Sequence, residues 1–171
     1  MEIRTIKEHK KEETRELIFE AFNTNDKKDV IEHILVDNLR LLPEYDASFD
    51  VVAIINNQIV GHAFLSTVTI NDNNNLLCLA PIAVKKEYQG QKIGTQLIKF
   101  LETKATEKGY QAIFILGDPQ YYSKFNYVPA VNYEIKAPFE IDDKYFMVKE
   151  LYLNSLSNIT GTLQYSPPFR T

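Results

Sequence analysis

The sequence predicts an α/β domain built on a central mixed, mostly antiparallel sheet flanked by helices, and three observations predict it. Three apolar, β-branched runs, Val51 to Ile55, Ile59 to Ile70 and Leu76 to Val84, follow one another across short polar turns, the pattern of an antiparallel meander. The third run passes through a polar loop into an amphipathic helix, where Ile93, Leu97, Phe100, Leu101 and Ala105 recur at helical spacing until Gly109 stops them. A fourth apolar run, Ala112 to Leu116, completes a strand–helix–strand passage, and such a crossover makes its two strands parallel within the otherwise antiparallel sheet.

The remaining elements follow in chain order. Ile3 to Ile6 opens as a short strand, and Glu12 to Phe22 carries Leu17, Ile18, Ala21 and Phe22 on one helical face. Asn23-Thr24-Asn25-Asp26 breaks that pattern. Val30, Ile31, Ile34, Leu35, Asn38, Leu39 and Leu42 then mark a second helix, which Pro43 stops. Asn56-Asn57-Gln58 suits a hairpin turn, and Asn71 to Asn75 makes the next connection. Past the crossover, Tyr121 to Phe125 forms a short helix, and Tyr133 to Ala137 with Tyr145 to Leu151 forms a closing hairpin. The last twenty residues, with Pro167-Pro168, run as an extended strap. No repeat, low-complexity linker or boundary interrupts the chain, so residues 1–171 are expected to form one domain.

Composition narrows the function. Hydrophobic residues at 44% and charged residues at 25% are ordinary for a globular protein, and no apolar run reaches the roughly 20 residues that span a bilayer. The amino-terminal stretch is charged and lacks the apolar core of a secretory signal, so cytoplasmic residence is expected, with no membrane partner. A net charge of −4 leaves no basic footprint for nucleic acid. The single Cys78 lies inside an apolar run, where a buried thiol is inert. Histidines 9, 33 and 62 have no metal-ligand spacing, and neither a Gly-x-Ser-x-Gly elbow nor a Gly-x-x-x-x-Gly-Lys-Ser/Thr loop occurs.

Chemistry concentrates between Leu76 and Gly94. A strand that delivers the chain to the open amino end of a helix makes an anion site, because the first helical N–H groups have no intrahelical acceptor and carry partial positive charge. A phosphate-bearing ligand is the expected occupant. Read structurally instead, Gly90 turns the chain and Gly94 lets helix and strand pack closely.

The residues Leu79-Ala80-Pro81-Ile82-Ala83-Val84, then Tyr88-Gln89-Gly90-Gln91-Lys92-Ile93-Gly94, then Gly117-Asp118-Pro119-Gln120-Tyr121-Tyr122-Ser123-Lys124-Phe125 together resemble the GNAT acyltransferases, most closely their YhbS-like branch of N-acetyltransferases. Leu39-Arg40, Val60-Gly61-His62 and the Gly161 to Phe169 stretch resemble flanking segments of that branch, so the resemblance covers nearly the whole chain. It implies the GNAT fold, in which the sheet splays between the strands near 76–84 and 112–116.

The resemblance also implies acetyl-CoA as cosubstrate, held by Gln89, Gly90, Gln91, Lys92, Ile93, Gly94 and Thr95 at its pyrophosphate. Main-chain groups of Ile82 and Val84 would pair with the pantetheine arm. The family's loop reads Gln/Arg-x-x-Gly-x-Gly/Ala, and its middle glycine is Lys92 here. If that position needs positive φ, a side chain costs on the order of 1 kcal/mol and weakens binding. If it is already helical, its N–H still donates and the ammonium attracts phosphate. The helical reading is preferred here, because Gly90 and Gly94 still leave room for the ligand.

Tyr122 aligns with the family's general acid, which protonates the departing thiolate. Asn126-Tyr127 replaces the usual glycine and phenylalanine, and asparagine tolerates the left-handed backbone such a turn requires. The alternative role for Tyr122 is a core aromatic whose hydroxyl meets a backbone acceptor. His62, Glu32, His33, Glu44 and Asp46 qualify as a general base by chemistry alone. Phe139, Tyr145 and the first two helices are expected to shape the acceptor pocket. The implied reaction is transfer of acetyl to a small-molecule or peptide amine by a monomer or homodimer; the alternative is a non-catalytic acyl-CoA-binding or regulatory module on the same fold.

Overall fold

The computed structural model describes residues 1–24 and 29–170, so the expected break at Asn25-Asp26 lies outside the described residues. The strands are β1 (Glu2–Thr5), β2 (Asp50–Ile55), β3 (Gln58–Ile70), β4 (Asn73–Val84), β5 (Ala112–Leu116), β6 (Val128–Pro129), β7 (Ile135–Lys136), β8 (Phe146–Glu150) and β9 (Gly161–Gln164). The α-helices are α1 (Lys11–Phe22), α2 (Glu32–Leu39), α3 (Ile93–Glu107) and α4 (Pro119–Tyr122). Strand order in the sheet is β1-β2-β3-β4-β5-β8-β6, with β9 beside β3 and β7 beside β9. No helix among the described residues is long and apolar enough to cross a membrane.

Two compact units divide the chain, one of Met1–Ser66 with Ala80–Lys104 and one of Thr67–Leu79 with Ala105–Thr171. In the first unit β1, β2 and β3 pair antiparallel in sequence. The β2–β3 turn places Asn56 at φ 51° and Asn57 at φ 62°, the two positive angles that a two-residue hairpin loop demands and that asparagine tolerates. Leu17, Ile18, Val36 and Leu39 bury the apolar stripes of α1 and α2. Gly61 lets α3 lie against β3: a Cβ built there would stand 3.1 Å from both Ile93 Cγ2 and Leu97 Cδ1.

The second unit contains the parallel pair that the sequence predicts. β4 and β5 match over three positions, from Leu76↔Ala112 to Cys78↔Phe114, and the ladder ends there. β5 pairs antiparallel with β8 along its whole length, Ala112↔Glu150 to Leu116↔Phe146. Val68, Ile70, Leu76, Cys78, Phe114, Phe146, Val148 and Leu163 form the core of this unit, so the cysteine is packed as expected. Gly109, at φ 83°, ends α3 in the left-handed cap that glycine favours.

Several sequence expectations need correction. The Asn71 to Asn75 connection narrows to Asn71-Asp72, because β4 already begins at Asn73, and the second helix spans only Glu32–Leu39, ending before Leu42 and Pro43. Tyr133 to Ala137 does not form a hairpin with Tyr145 to Leu151. Within the first span only Ile135–Lys136 is extended, and it pairs in parallel with β9, while β8 fits between β5 and β6. The carboxy-terminal stretch is likewise not wholly a strap, because β9 pairs antiparallel with β3 at Thr69↔Gln164 and Ile70↔Leu163. Leu163 is fully buried, and that burial holds the strand in register.

Candidate active site

In the first unit β4 hands the chain to α3 through a short 3-10 turn, Lys86–Tyr88. The Lys85 N–H donates to the Val60 carbonyl at 2.8 Å, which ties the start of this connection to β3. Gln89 Nε2 donates back to the Val84 carbonyl at 3.2 Å, so the loop is closed by its own first residue. Gly90 follows at φ 80°, and the 92 carbonyl accepts the first helical bond, from Gln96 N at 3.1 Å. Among the described residues, the N–H groups of Gly90, Gln91, Lys92, Ile93, Gly94 and Thr95 meet no protein acceptor. Ile93 is buried and anchors the head of the helix, while Gln89, Gly90, Gln91 and Lys92 are exposed. Ile82 and Val84 are half-buried and alternate along β4 with buried Pro81 and Ala83. A cleft of about 390 Å³ lies beside the loop, lined by Leu17, Glu20 and Ala21 of α1 together with Lys85, Lys86 and Gln89.

Lys92 overturns the helical reading. Its φ is 64°, in the left-handed region, because the chain must reverse its course between the loop and the first turn of α3. A Cβ in that region meets the following carbonyl, at a cost on the order of 1 kcal/mol, which glycine avoids. Lys92→Gly is therefore expected to raise the unfolding free energy by about 0.5–1 kcal/mol, and Lys92→Ala, which keeps the Cβ, to leave it within about 0.5 kcal/mol. Urea denaturation of the two variants separates these outcomes; equal stability of the glycine and alanine proteins would show that the backbone at 92 is unstrained.

In the second unit β5 ends at Leu116, and the Gly117 N–H donates to the Tyr145 carbonyl at 3.0 Å. Asp118 then caps α4 by accepting from Gln120 N at 2.9 Å, with Pro119 in the first turn, where its missing N–H costs nothing. Residues Ser123–Phe125 continue as a 3-10 turn, which Asn126 terminates at φ 70°, ψ 24°. Asparagine thus occupies the left-handed position expected of it. The Tyr122 ring sits edge-on to Tyr121 at 4.9 Å and to Tyr127 at 6.0 Å. Burial pushes its phenol up to about 12, with a smaller electrostatic contribution from Tyr121, so it is protonated at neutral pH. Among the described residues its hydroxyl has no hydrogen-bond partner.

Among the candidate bases, His62, Asp46 and Glu32 hold hydrogen bonds of their own, His33 is buried and Glu44 is exposed. His62 is fully buried and donates from Nε2 to Asp50 Oδ1 at 2.7 Å, so it faces a buried carboxylate rather than an open surface of the sheet. His33 is buried against the edge of Phe19, which lowers its pKa, first through desolvation and then through Arg15. Asp46 caps the Ala47–Phe49 turn through Ser48 N and Ser48 Oγ, and Glu32 accepts from Ile31 N. Phe139 and Tyr145 are substantially exposed, the first stacked on Tyr165 at 6.2 Å.

Sequence reasoning missed the residue at the centre of the polar network. Asp50 is completely buried and accepts from Arg40 Nε at 2.8 Å, Arg40 Nη2 at 3.2 Å, Tyr45 Oη at 2.8 Å and His62 Nε2. Arg40 also donates to Thr14 Oγ1 at 3.1 Å, which joins α1 and α2 to the same cluster. Burial alone would raise the Asp50 pKa, but the hydrogen bond and charge of His62 and then those of Arg40 outweigh it. The carboxyl is held well below the usual carboxylate range.

Comparison with known proteins converges on one family. The acetyltransferase (GNAT) family model matches residues 11–126, more than half of the chain. The uncharacterized N-acetyltransferase YhbS of Escherichia coli K12 is 29% identical over 113 residues, covering 66% of this chain and 68% of YhbS. The crystal structure of E. coli YhbS in complex with CoA superposes with a TM-score of 0.88 at 26% identity, over 99% of this chain and 92% of that one. A GNAT family acetyltransferase from Brucella melitensis, solved with acetyl-CoA, has the same fold, with a TM-score of 0.80 at 24% identity over 98% and 97% of the two chains.

Proposed function

Because the chain belongs to the GNAT acetyltransferase family, we propose that it transfers an acetyl group from acetyl-CoA to a primary amine of a small molecule or peptide. One observation carries the reading: six consecutive amide N–H groups, Gly90 to Thr95, stand open at the head of a fifteen-residue helix. Such a row, with the partial positive charge of the helix end, fits a diphosphate. That the E. coli YhbS structure holds CoA supports the assignment.

In this reading Gln89 to Thr95 hold the pyrophosphate and the main chain of Ile82 and Val84 pairs with the pantetheine arm. The amine nitrogen attacks the thioester carbonyl, and the resulting oxyanion is stabilised by a main-chain N–H of β4. The C–S bond then breaks, the nitrogen releases its proton to solvent water, and the Tyr122 hydroxyl gives its proton to the departing sulfur and is reprotonated from water.

The test follows free thiol release from acetyl-CoA over a panel of polyamines, amino acids and lysine peptides, with CoA binding measured by calorimetry. Binding together with turnover on at least one amine class is expected. Tight binding with no turnover on any amine would leave an acyl-CoA-binding module instead, and no CoA binding at all would remove the loop assignment.

A further inference from the structure

We infer that Gly117 is a positioning residue for Tyr122, a claim that rests on the general-acid reading for its kinetic consequence but not for its packing consequence. The backbone at 117 does not require glycine, since its φ lies outside the positive range where glycine is favoured. What glycine supplies is the absence of a Cβ. An ideal Cβ built at 117 would stand 2.7 Å from Tyr122 Cδ2 and closer still to Cε2, well inside van der Waals contact. The ring lies directly on the Gly117 Cα.

Neither partner can give way cheaply. Gly117 is pinned by its N–H bond to the Tyr145 carbonyl at 3.0 Å. The Tyr122 ring is boxed by the Tyr121 edge at 4.9 Å and by Tyr127, which is 2% exposed. The Tyr122 backbone is held too, its carbonyl accepting from Tyr127 N at 3.3 Å. No hydrogen bond among the described residues orients the hydroxyl, so packing on Gly117 is what sets the direction of the Cζ–Oη bond. Cε2 is bonded to Cζ, so a methyl group at 117 pushes the end of the ring that carries the proton. A displacement of about 1 Å at a reacting group costs on the order of 10²-fold in rate.

The experiment is a double-mutant cycle of Gly117→Ala and Tyr122→Ala, read in both kinetics and stability. Gly117→Ala is expected to lower kcat by about 10- to 100-fold while KM for acetyl-CoA stays within about two-fold. In the Tyr122→Ala background the same change is expected to cost less than about two-fold, because no ring remains to displace. Equal losses in the two backgrounds overturn the inference. Melting temperatures give the second arm: the loss caused by Gly117→Ala should shrink once Tyr122 is alanine, and an undiminished loss also overturns it. If Tyr122→Phe proves fully active, the general-acid reading fails by itself, and the stability arm still decides whether Gly117 seats the ring.

Discussion

Replacing Tyr122 with phenylalanine is expected to lower kcat by about 10²-fold or more, within the 10²–10⁴ range of general acid catalysis, with little change in KM for acetyl-CoA. The substitution removes one oxygen and leaves the ring in its seat on Gly117, so packing and cofactor binding are preserved. What is lost is the proton for the sulfur. A thiol of the cysteine type has an unperturbed pKa of about 8.5, so a thiolate is a tolerable leaving group on its own, which keeps the expected loss toward the lower end of the range.

The raised phenol adds a pH signature. Burial pushes Tyr122 up to about 12, so the acid keeps its proton over the whole accessible range. A group whose pKa is raised in this way gives no alkaline fall in kcat below that value. The rate should instead climb with pH as the acceptor amine loses its proton, up to about pH 10 for a lysine-like amine. A profile that falls between pH 8 and 10 in wild type but not in Tyr122→Phe would place the working pKa much lower than burial sets it. A Tyr122→Phe enzyme with undiminished kcat would end the general-acid assignment.

The sequence showed the frame of this molecule more clearly than its exceptions, and the reasons are physical. The helix around Leu97 and the strand Ala112–Leu116 were legible because their periodicity and their Gly109 stop are local signals. The left-handed turn at Asn126 was legible because asparagine tolerates that region. The partner of Ile135–Lys136 was not legible: a two-residue strand carries no pattern of its own, and its pairing is decided by the distant burial of Leu163. Lys92 misled because its φ depends on the angle at which the loop meets α3, which no residue type declares. Gly117 reads in sequence as an ordinary turn glycine after a strand, and only the ring lying on it reveals a different requirement. Asp50 was overlooked because a charge at the head of an apolar strand resembles a solvent-facing end; the signal that could have found it was Arg40 and His62 in segments already marked by resemblance.

Asp50→Asn is expected to be the most damaging single change to stability, about 3–5 kcal/mol, since it leaves the Arg40 charge buried without its counter-ion. The guanidinium is 6% exposed and both it and His62 converge on the same two oxygens, so no water can replace the lost charge without opening the cluster. For a chain of 171 residues that loss corresponds to a fall in Tm of about 6–20 °C. Tyr45, which donates to the same carboxylate and stacks on Phe64 at 5.9 Å, must then compete with Arg40 and His62 for the single amide oxygen, and Lys11 over the Tyr45 ring at 5.4 Å adds a further cation nearby. The sign of the pH dependence follows from the direction of the shift. A carboxyl depressed in the folded state contributes fully above its unfolded pKa of about 3.9, and loses that contribution as pH falls toward its folded value. Each pH unit below about 3.9 therefore removes about 1.4 kcal/mol of the wild-type advantage while Asp50 remains ionised in the fold. The gap between wild type and Asp50→Asn should be widest above pH 5 and should narrow steadily toward pH 2 in urea titrations. Replacing Arg40 together with Asp50, by methionine and leucine, should recover part of the loss, because no buried guanidinium is then left uncompensated. A gap that stays constant from pH 7 to pH 2 would mean that Asp50 holds the helices to the sheet by shape alone, with its charge irrelevant.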